Sequence, residues 1–299
     1  MNERMGKTNH YIYKWTLEMA EKLEKSSKPG DRFSVSIRDF DDPEHRASFA
    51  ALRKKGRECY CVLPVLWRPG QGPDPEEIVE EVDGFYAGNP GQIRRLLDTE
   101  KPVMGDVGLN VFNRETALLL ERSGLCGATV SYELEREEWE NCLPLSGTAS
   151  GGVTSPRRGE AGRKEDRNDP GSPQRREEDR SDLGSPLWGE LSAKQTERGE
   201  RGERGPFETE ILRSGRVPAM ISEYCPLAGA EGIRGSGCGK CRDENPVWLK
   251  DFKGERYPVL LEPRGCTALI LSRKPLDRPW ADELAAERDD VIRRICIFE

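Results

Sequence analysis

Short apolar segments alternate with amphipathic ones along the first half of the chain. The apolar runs at residues 59–66, 82–87 and 102–107 predict buried strands, and residues 93–97 and 113–123 carry apolar positions at helical spacing. Strands that alternate with short helices favour βαβ units with parallel pairing. The pattern therefore predicts an α/β fold.

The beginning of the chain does not follow this repeat. Residues 9–25 have one approximately apolar side and predict an amphipathic helix, residues 33–37 alternate as a short strand does, and residues 44–55 predict a second helix. We interpret residues 1–57 as a separate N-terminal segment of helix and strand.

The repeat stops at residue 145. Residues 146–206 consist mainly of Gly, Ser, Pro and charged side chains, with almost no aliphatic residues. Because such a segment cannot bury enough apolar surface to offset its ordering entropy, we predict a disordered, charge-balanced insertion. Order resumes at residue 207, and residues 291–298 form the last predicted strand.

The predicted strands are too few to close an eight-stranded barrel. We therefore predict a partial TIM-barrel-like domain of βα repeats, with a small β-rich segment that bears cysteines. The chain ends at Glu299 directly after a predicted strand, which suggests a missing chain portion or a second barrel-forming subunit. The predicted organisation is an N-terminal segment (1–57), a first part of the barrel (58–145), the insertion (146–206) and a second part with a metal site (207–299).

Four cysteines have the spacing of a metal site. Cys225, Cys238, Cys241 and Cys266 are arranged as C-x12-C-x2-C-x24-C, and glycines surround the C-x-x-C pair. Thiolates are soft ligands, and four of them hold either a tetrahedral zinc ion or an iron–sulfur cluster. The alternative is a set of scattered buried thiols, because free cysteine packs as a small hydrophobe. The polar, turn-rich surroundings favour the metal site, while the spacing leaves its metal open.

Composition and charge limit the possible partners and cellular location of the protein. Hydrophobic residues make up 35% of the chain and charged residues 34%, which fits a chain that is only partly folded. The net charge of −7 gives no overall attraction for nucleic acid. No apolar run approaches the length of a membrane span, and the N-terminus lacks the apolar core of a signal peptide. We expect a cytoplasmic protein with reduced thiols and no membrane partner.

The sequence contains few of the residues that other known catalytic motifs require. His10 and His45 are the only histidines, and neither a P-loop nor a G-x-G-x-x-G motif follows a strand, so we expect no nucleotide ligand.

Polar side chains instead follow the predicted strands. Right-handed crossovers place the ends of parallel strands on one face, and Asp106, Asn110, Glu133 and Glu223 all follow strand ends. We predict that these four residues line an active site, with the carboxylates as general acids or bases. The alternative for each of them is a role in a helix cap or a turn.

Several motifs together resemble one known family. The chain is similar to the collagenase-like peptidase family U-thirty-two, and more narrowly to the later part of its long bacterial members. The similarity covers roughly residues 58–145 and 207–299 and omits the insertion. It rests on G-D-V-G-L-N-V-F-N at 105–113, S-Y-E-L at 131–134, G-R-V-P-A-M-I-S-E-Y-C-P-L at 215–227, C-G-K-C, P-R-G-C and the final R-R-I-C-I-F-E.

The resemblance implies a TIM-barrel-like domain with a four-cysteine cofactor at its mouth. Some members are named proteases, whereas similar proteins are hydroxylation factors that carry a four-iron, four-sulfur (4Fe-4S) cluster and act on transfer RNA, ribosomal RNA or a quinone precursor. Carried over to this chain, the cluster ligands are Cys225, Cys238, Cys241 and Cys266. The peptidase signature E-x-F-x-x-G-[SA]-[LM]-C is absent, and E-Y-C-P-L at 223–227 is its nearest approach.

Three functions remain open at this point. The first is an iron–sulfur enzyme that hydroxylates or otherwise modifies RNA or a small aromatic precursor. The second is a metal-stabilised, collagenase-like peptidase. The third is a zinc-stabilised binding subunit without catalytic activity.

Overall fold

A ring of parallel strands surrounded by helices organises the chain. The computed structural model describes residues 6–68, 70–140, 206–233, 241, 246–262 and 265–298. In chain order the strands are β1 (Thr8–Ile12), β2 (Arg32–Ser36), β3 (Glu58–Leu63), β4 (Gly84–Ala87), β5 (Val103–Gly105), β6 (Gly127–Thr129), β7 (Glu208–Gly215), β8 (Pro218–Ser222), β9 (Val247–Lys250), β10 (Arg256–Glu262), β11 (Thr267–Leu271), β12 (Leu276–Asp277) and β13 (Val291–Ile297).

Most of the described helices follow barrel strands in the chain. They are α1 (Leu17–Ser26), α2 (Pro43–Lys54), α3 (Pro90–Leu97), α4 (Arg114–Arg122), α5 (Arg136–Glu140), α6 (Pro226–Ala230) and α7 (Trp280–Glu287). Short 3-10 turns occur at Ile37–Asp41, Pro75–Glu77, Val79–Glu81 and Val107–Leu109. Within the described part of the chain, no helix is both long and apolar enough to cross a membrane.

Eight of the strands form a closed parallel barrel. Their order is β7-β13-β1-β2-β3-β4-β5-β6, and β6 pairs with β7 to complete the ring. Strand β12 adds to β7 in the antiparallel direction. The predicted α/β, TIM-barrel-like fold is therefore confirmed, but the barrel is closed rather than partial. It closes without a strand from another chain.

Strand β1 is the element that the sequence analysis missed. The predicted helix over 9–25 is wrong in its first half, because the helix begins only at Leu17. There the Thr16 side chain accepts a hydrogen bond of 3.1 Å from the Met19 backbone amide, as an N-cap residue does. The preceding residues pair with both β13 and β2. Residues 8–54 thus belong to the barrel and do not form a separate N-terminal segment (1–57).

The inner face of β1 is polar, which explains why its alternation was hard to recognise. Asn9 points into the barrel and donates to Glu210 at 2.9 Å, and Tyr11 donates to Asp106 at 3.2 Å. Ile12 faces outward into the apolar core. Because polar groups occupy the buried inner positions, the strand lacks the apolar alternation that normally reveals one.

The main apolar core lies between the outer side of the barrel and the helices. Near α2 it contains an aromatic cluster in which Phe49 contacts Trp15, Phe33 and Phe40, with ring centroids 4.8, 6.0 and 4.9 Å away. All four rings are buried. Aromatic contacts of this kind contribute beyond the area they bury.

We expect Phe49→Ala to lower the free energy of unfolding by about 3–5 kcal/mol, because it leaves a cavity in this cluster. Urea unfolding followed by circular dichroism measures the change. A matched control is Leu119→Ala on α4, where the side chain is 45% exposed and a loss well under half as large is expected. Equal losses in the two variants would contradict this account of the core.

A small antiparallel sheet is inserted between β7 and β13. Its strand order is β8-β11-β10-β9, and it is the β-rich segment predicted to bear cysteines. The structure divides residues 211–221 between β7 and β8. The chain turns at Gly215, whose φ is +116° and where a Cβ would lie 2.1 Å from the Cys296 carbonyl oxygen. Only glycine fits there.

The predicted disordered insertion, residues 146–206, lies outside the described residues except for Pro206, which lies two residues before β7. Strands β6 and β7 pair side by side although the insertion separates them in sequence, and Glu210 lies opposite Thr129. The barrel repeat therefore continues across the insertion.

Candidate functional site

A cavity of about 570 Å³ lies at the carboxyl-terminal mouth of the barrel. Residues within or after β1, β2, β3, β5, β6, β7 and β13 line one side, and β8, β10 and β11 of the small sheet line the other. Its volume is typical of small-molecule sites. Much of the lining is apolar and includes Val62, Val107, Val130, Leu212, Val217, Leu260 and Leu269.

A buried carboxylate lies beneath the cavity. Glu210 on β7 accepts hydrogen bonds from Thr129 at 3.1 Å, from Asn9 at 2.9 Å and from Tyr86 and Arg294. Burial would raise the pKa of Glu210, but Arg294 and these hydrogen bonds lower it below its usual value. Glu210 is therefore ionised, and the four donors occupy its acceptor positions.

Arg294 connects this carboxylate to the floor of the cavity. Its side chain is buried, its Nε donates to Glu210, and its Nη1 donates to Asp106 Oδ1 at 2.7 Å. The guanidinium carbon lies 4.2 Å from the centroid of the Tyr11 ring. Among the described residues, nothing accepts a hydrogen bond from Nη2, although this atom is buried and Arg294 belongs to the cavity lining.

Tyr11 completes the floor. Its hydroxyl donates to Asp106 Oδ2 at 3.2 Å. Burial, followed by the charge of Asp106, raises the pKa of Tyr11 well above its usual value. Tyr11 is therefore a neutral phenol, and Asp106 is held between one cationic donor and one neutral donor.

A second carboxyl group lines the cavity on another side. Asp39 follows β2, three strands away from Asp106 around the barrel, and its Oδ2 accepts from the Ser36 backbone amide at 3.1 Å. Burial, with a smaller contribution from Glu262, raises the pKa of Asp39 to about 7. Asp39 thus holds its proton over much of the pH range in which an ordinary aspartate has lost it.

Two of the four predicted catalytic residues lie in the cavity. Asp106 and Asn110 belong to its lining, and Asn110 ends the 3-10 turn at Val107–Leu109 with φ +51°. Glu133 and Glu223 are not among the lining residues. Glu223 is exposed and forms an ion pair with Arg68.

Tyr11, Asp39 and Arg294 are the residues that the sequence analysis did not single out. Asp39 follows a strand just as Asp106 does, so its position was a usable signal. Arg294 falls on the same face of β13 as Ile292 and Cys296, which are buried. An arginine at a buried position of a strand requires a partner. This requirement could have marked Arg294 as a candidate site residue in the sequence.

Three of the four predicted ligand cysteines lie on the small sheet. Cys225 follows β8 and Cys266 precedes β11, and Ser222 pairs with Ala268, so both cysteines are at the same end of neighbouring strands. Cys241 is buried in the apolar cluster of this sheet, against which Cys225 also packs. Thr267, next to Cys266, lines the cavity.

The described residues alone do not fit a metal centre. Cys238 lies outside them, and in the described ranges no group of three or more His, Cys, Asp or Glu side chains is arranged to hold a metal ion. We therefore derive no chemical step through zinc or an iron–sulfur cluster.

Comparisons with known proteins leave the function open. No protein-family model and no curated protein matches the chain. The solved structure of MenC from Desulfotalea psychrophila LSv54 is similar over 42% of this chain, with 14% identity and a TM-score of 0.29. The match spans 38% of the MenC chain. A likeness this low carries no argument about fold or function.

The position of Asp39 predicts a pH dependence of stability. A carboxyl whose pKa is higher in the folded than in the unfolded state keeps a proton that the unfolded chain has released. This difference destabilises the fold progressively as the pH rises from about 4 to about 7 and then stays constant. Asp39→Asn keeps an acceptor for the Ser36 amide. We expect it to remove this contribution to the decrease in the free energy of unfolding with rising pH.

Urea unfolding at several pH values between 4 and 8 tests this expectation. Asp42→Asn serves as the control, because this residue also caps a helix through its side chain but lies outside the cavity. Parallel stability curves for the original protein and for Asp39→Asn across this range would refute the assignment of a raised pKa.

Proposed function

We propose that this protein is an enzyme that binds a small organic group in the mouth cavity and acts on it by proton transfer. The observation that carries the proposal is the group of Arg294, Asp106 and Tyr11 at the cavity floor. Burying charged groups costs free energy, and a buried ion pair often adds little to the net stability of a fold. Its presence is therefore weak evidence for a purely stabilising role. Ionisable groups of this kind in a cavity are typical of catalytic sites.

The two aspartates have complementary roles in this proposal. Asp106 accepts hydrogen bonds from Arg294 and Tyr11 and is the proton acceptor. Asp39 has a pKa of about 7 and is the proton donor. A carboxyl group that keeps its proton near pH 7, in the same cavity as a second carboxyl group, permits acid and base chemistry at one pH. Tyr11 positions Asp106 through its hydroxyl group.

A more specific form of the proposal follows the resemblance to peptidase family U-thirty-two. In it, the protein is a cytoplasmic iron–sulfur enzyme that hydroxylates or modifies RNA or a small aromatic precursor. The position of Cys225 and Cys266 on the sheet that borders the cavity supports it. A bound cluster would supply electron transfer beside the substrate. The ligand set depends on Cys238, so this form requires a direct test.

The peptidase alternative gains no support from the cavity. His10 and His45 are the only histidines of the chain, and neither lines the cavity. His10 points away from the barrel interior, with its Nε2 4.0 Å from Asp31. The cavity therefore lacks a histidine base for a nucleophile.

We expect Asp106→Asn to lower turnover by about 10²–10⁴-fold, because it removes the proton acceptor. Mass spectrometry of small-molecule and RNA extracts, incubated anaerobically with the protein and a chemical reductant, identifies species that it converts. Glu133→Gln is the matched control, since Glu133 follows a strand in a similar way but lies outside the cavity lining. Conversion that is equally fast with Asp106→Asn would refute the proposed role of Asp106.

Metal analysis tests the iron–sulfur form separately. We expect anaerobically purified protein to be brown and to contain iron and sulfide in equal amounts. Cys225→Ser and Cys266→Ser should each lower the iron content, whereas Cys126→Ser, near the start of β6, should leave it unchanged. A colourless protein with stoichiometric zinc would instead favour the zinc-stabilised binding subunit.

A further inference from the structure

We infer that the floor of the mouth cavity selects a neutral ligand group in which a carbonyl oxygen lies beside an N–H or O–H, such as a primary amide, over the corresponding carboxylate. This inference rests on the proposal that the mouth cavity is the substrate site. It adds the chemical class of the group that the site takes.

The first argument is the hydrogen-bonding capacity left at the floor. Arg294 uses Nε for Glu210 and Nη1 for Asp106, and Nη2 has no acceptor among the described residues. A buried donor left without an acceptor costs about 1–3 kcal/mol. Nη2 has almost no accessible surface, so a ligand oxygen removes that cost where its binding displaces the neighbouring side chains from this position.

The second argument is that an acceptor lies beside this donor. Asp106 receives Arg294 on Oδ1 and Tyr11 on Oδ2, and a carboxylate has about four acceptor positions. Asp106 therefore keeps capacity for a ligand donor, whereas the capacity of Glu210 is filled. The floor thus offers one donor next to one acceptor, which matches a ligand group with one acceptor next to one donor.

The third argument is the local charge. Around the guanidinium of Arg294 stand two carboxylates, Glu210 and Asp106, so this group carries a net charge of −1. The neighbouring buried Arg32 does not offset it, because Arg32 pairs with Glu58 at 3.2 Å and with Glu208 at 3.0 Å. Lys7 pairs with the same two carboxylates at 2.6 and 3.7 Å, which makes that second group neutral.

The charge distinguishes the classes of ligand. An anionic ligand would add a second negative charge at a buried site, where repulsion between like charges is strong. A cationic ligand group has no acceptor for the Nη2 donor. The other arginine of the cavity lining, Arg38, is engaged by Glu262 at 3.0 Å. A neutral group with an acceptor and a donor satisfies both the hydrogen bonds and the charge.

Benzamide and benzoate are suitable probes, because they share one ring for the apolar walls and differ in the charge and donor of the head group. Their dissociation constants can be measured with the full-length protein by ligand-observed NMR at neutral pH and millimolar concentrations. We expect benzamide to bind at least about tenfold more tightly than benzoate. Tighter binding of benzoate, or no binding of either probe, would overturn the inference.

Asp106→Asn provides the decisive variant. It keeps an acceptor oxygen for Arg294, and the Tyr11 hydroxyl can accept from the new amide N–H. Because the change raises the local charge from −1 to zero, the preference for benzamide should shrink or reverse. Glu133→Gln, outside the cavity lining, should leave both dissociation constants unchanged. An unchanged preference in Asp106→Asn would overturn the inference.

The outcomes also separate this inference from the proposed function. If benzoate is preferred and its binding responds to Asp106→Asn, the cavity remains the substrate site and only the ligand class is wrong. If both probes bind but neither responds to Asp106→Asn or to Arg294→Lys, the cavity floor is not their site and the proposed function loses its support as well.

Discussion

The guanidinium of Arg294 is the interaction on which the barrel mouth depends. It joins β13 to Glu210 on β7 and to Asp106 at the end of β5, and it lies against the Tyr11 ring of β1. Four strands of the ring thus meet at one side chain. Removing one partner of a buried ion pair generally costs about 3–5 kcal/mol, because the remaining charge is left buried without compensation.

A second buried arginine lies deeper in the barrel. Arg32 on β2 lies 3.7 Å from the centroid of the Tyr60 ring, donates to the Tyr86 hydroxyl at 3.1 Å and pairs with Glu208. The interior therefore holds ion pairs and aromatic rings where many barrels of this type hold layers of branched aliphatic residues. Each buried charge requires its own partner. A shift of one strand by one residue would leave several charged side chains without partners, and this cost fixes the register.

Much of the fold could be predicted from the sequence. The strands at 59–66, 82–87 and 102–107 were recognised because they are apolar on both faces, as parallel strands covered by helices are. Strand β1 was missed because Asn9 and Tyr11 occupy its inner face. Their partners, Glu210 and Asp106, are distant in the sequence, so no local pattern shows that these polar residues are buried. The error over β1 produced the prediction of a partial barrel.

The candidate site, like the fold, was predicted only in part from the sequence. Periodicity and chain direction are local properties, so the amino-acid order alone was enough to predict the βα repeat and the common face of the strand ends. It was therefore also enough to place Asp106 and Asn110 at that face. Three features of the site became visible only in the folded protein: Arg294 and Tyr11 contact Asp106, Asp39 lines the same cavity, and Glu133 and Glu223 lie outside its lining. Contacts between residues far apart in the chain depend on how the barrel closes, and burial and charge pairing arise only once it has closed.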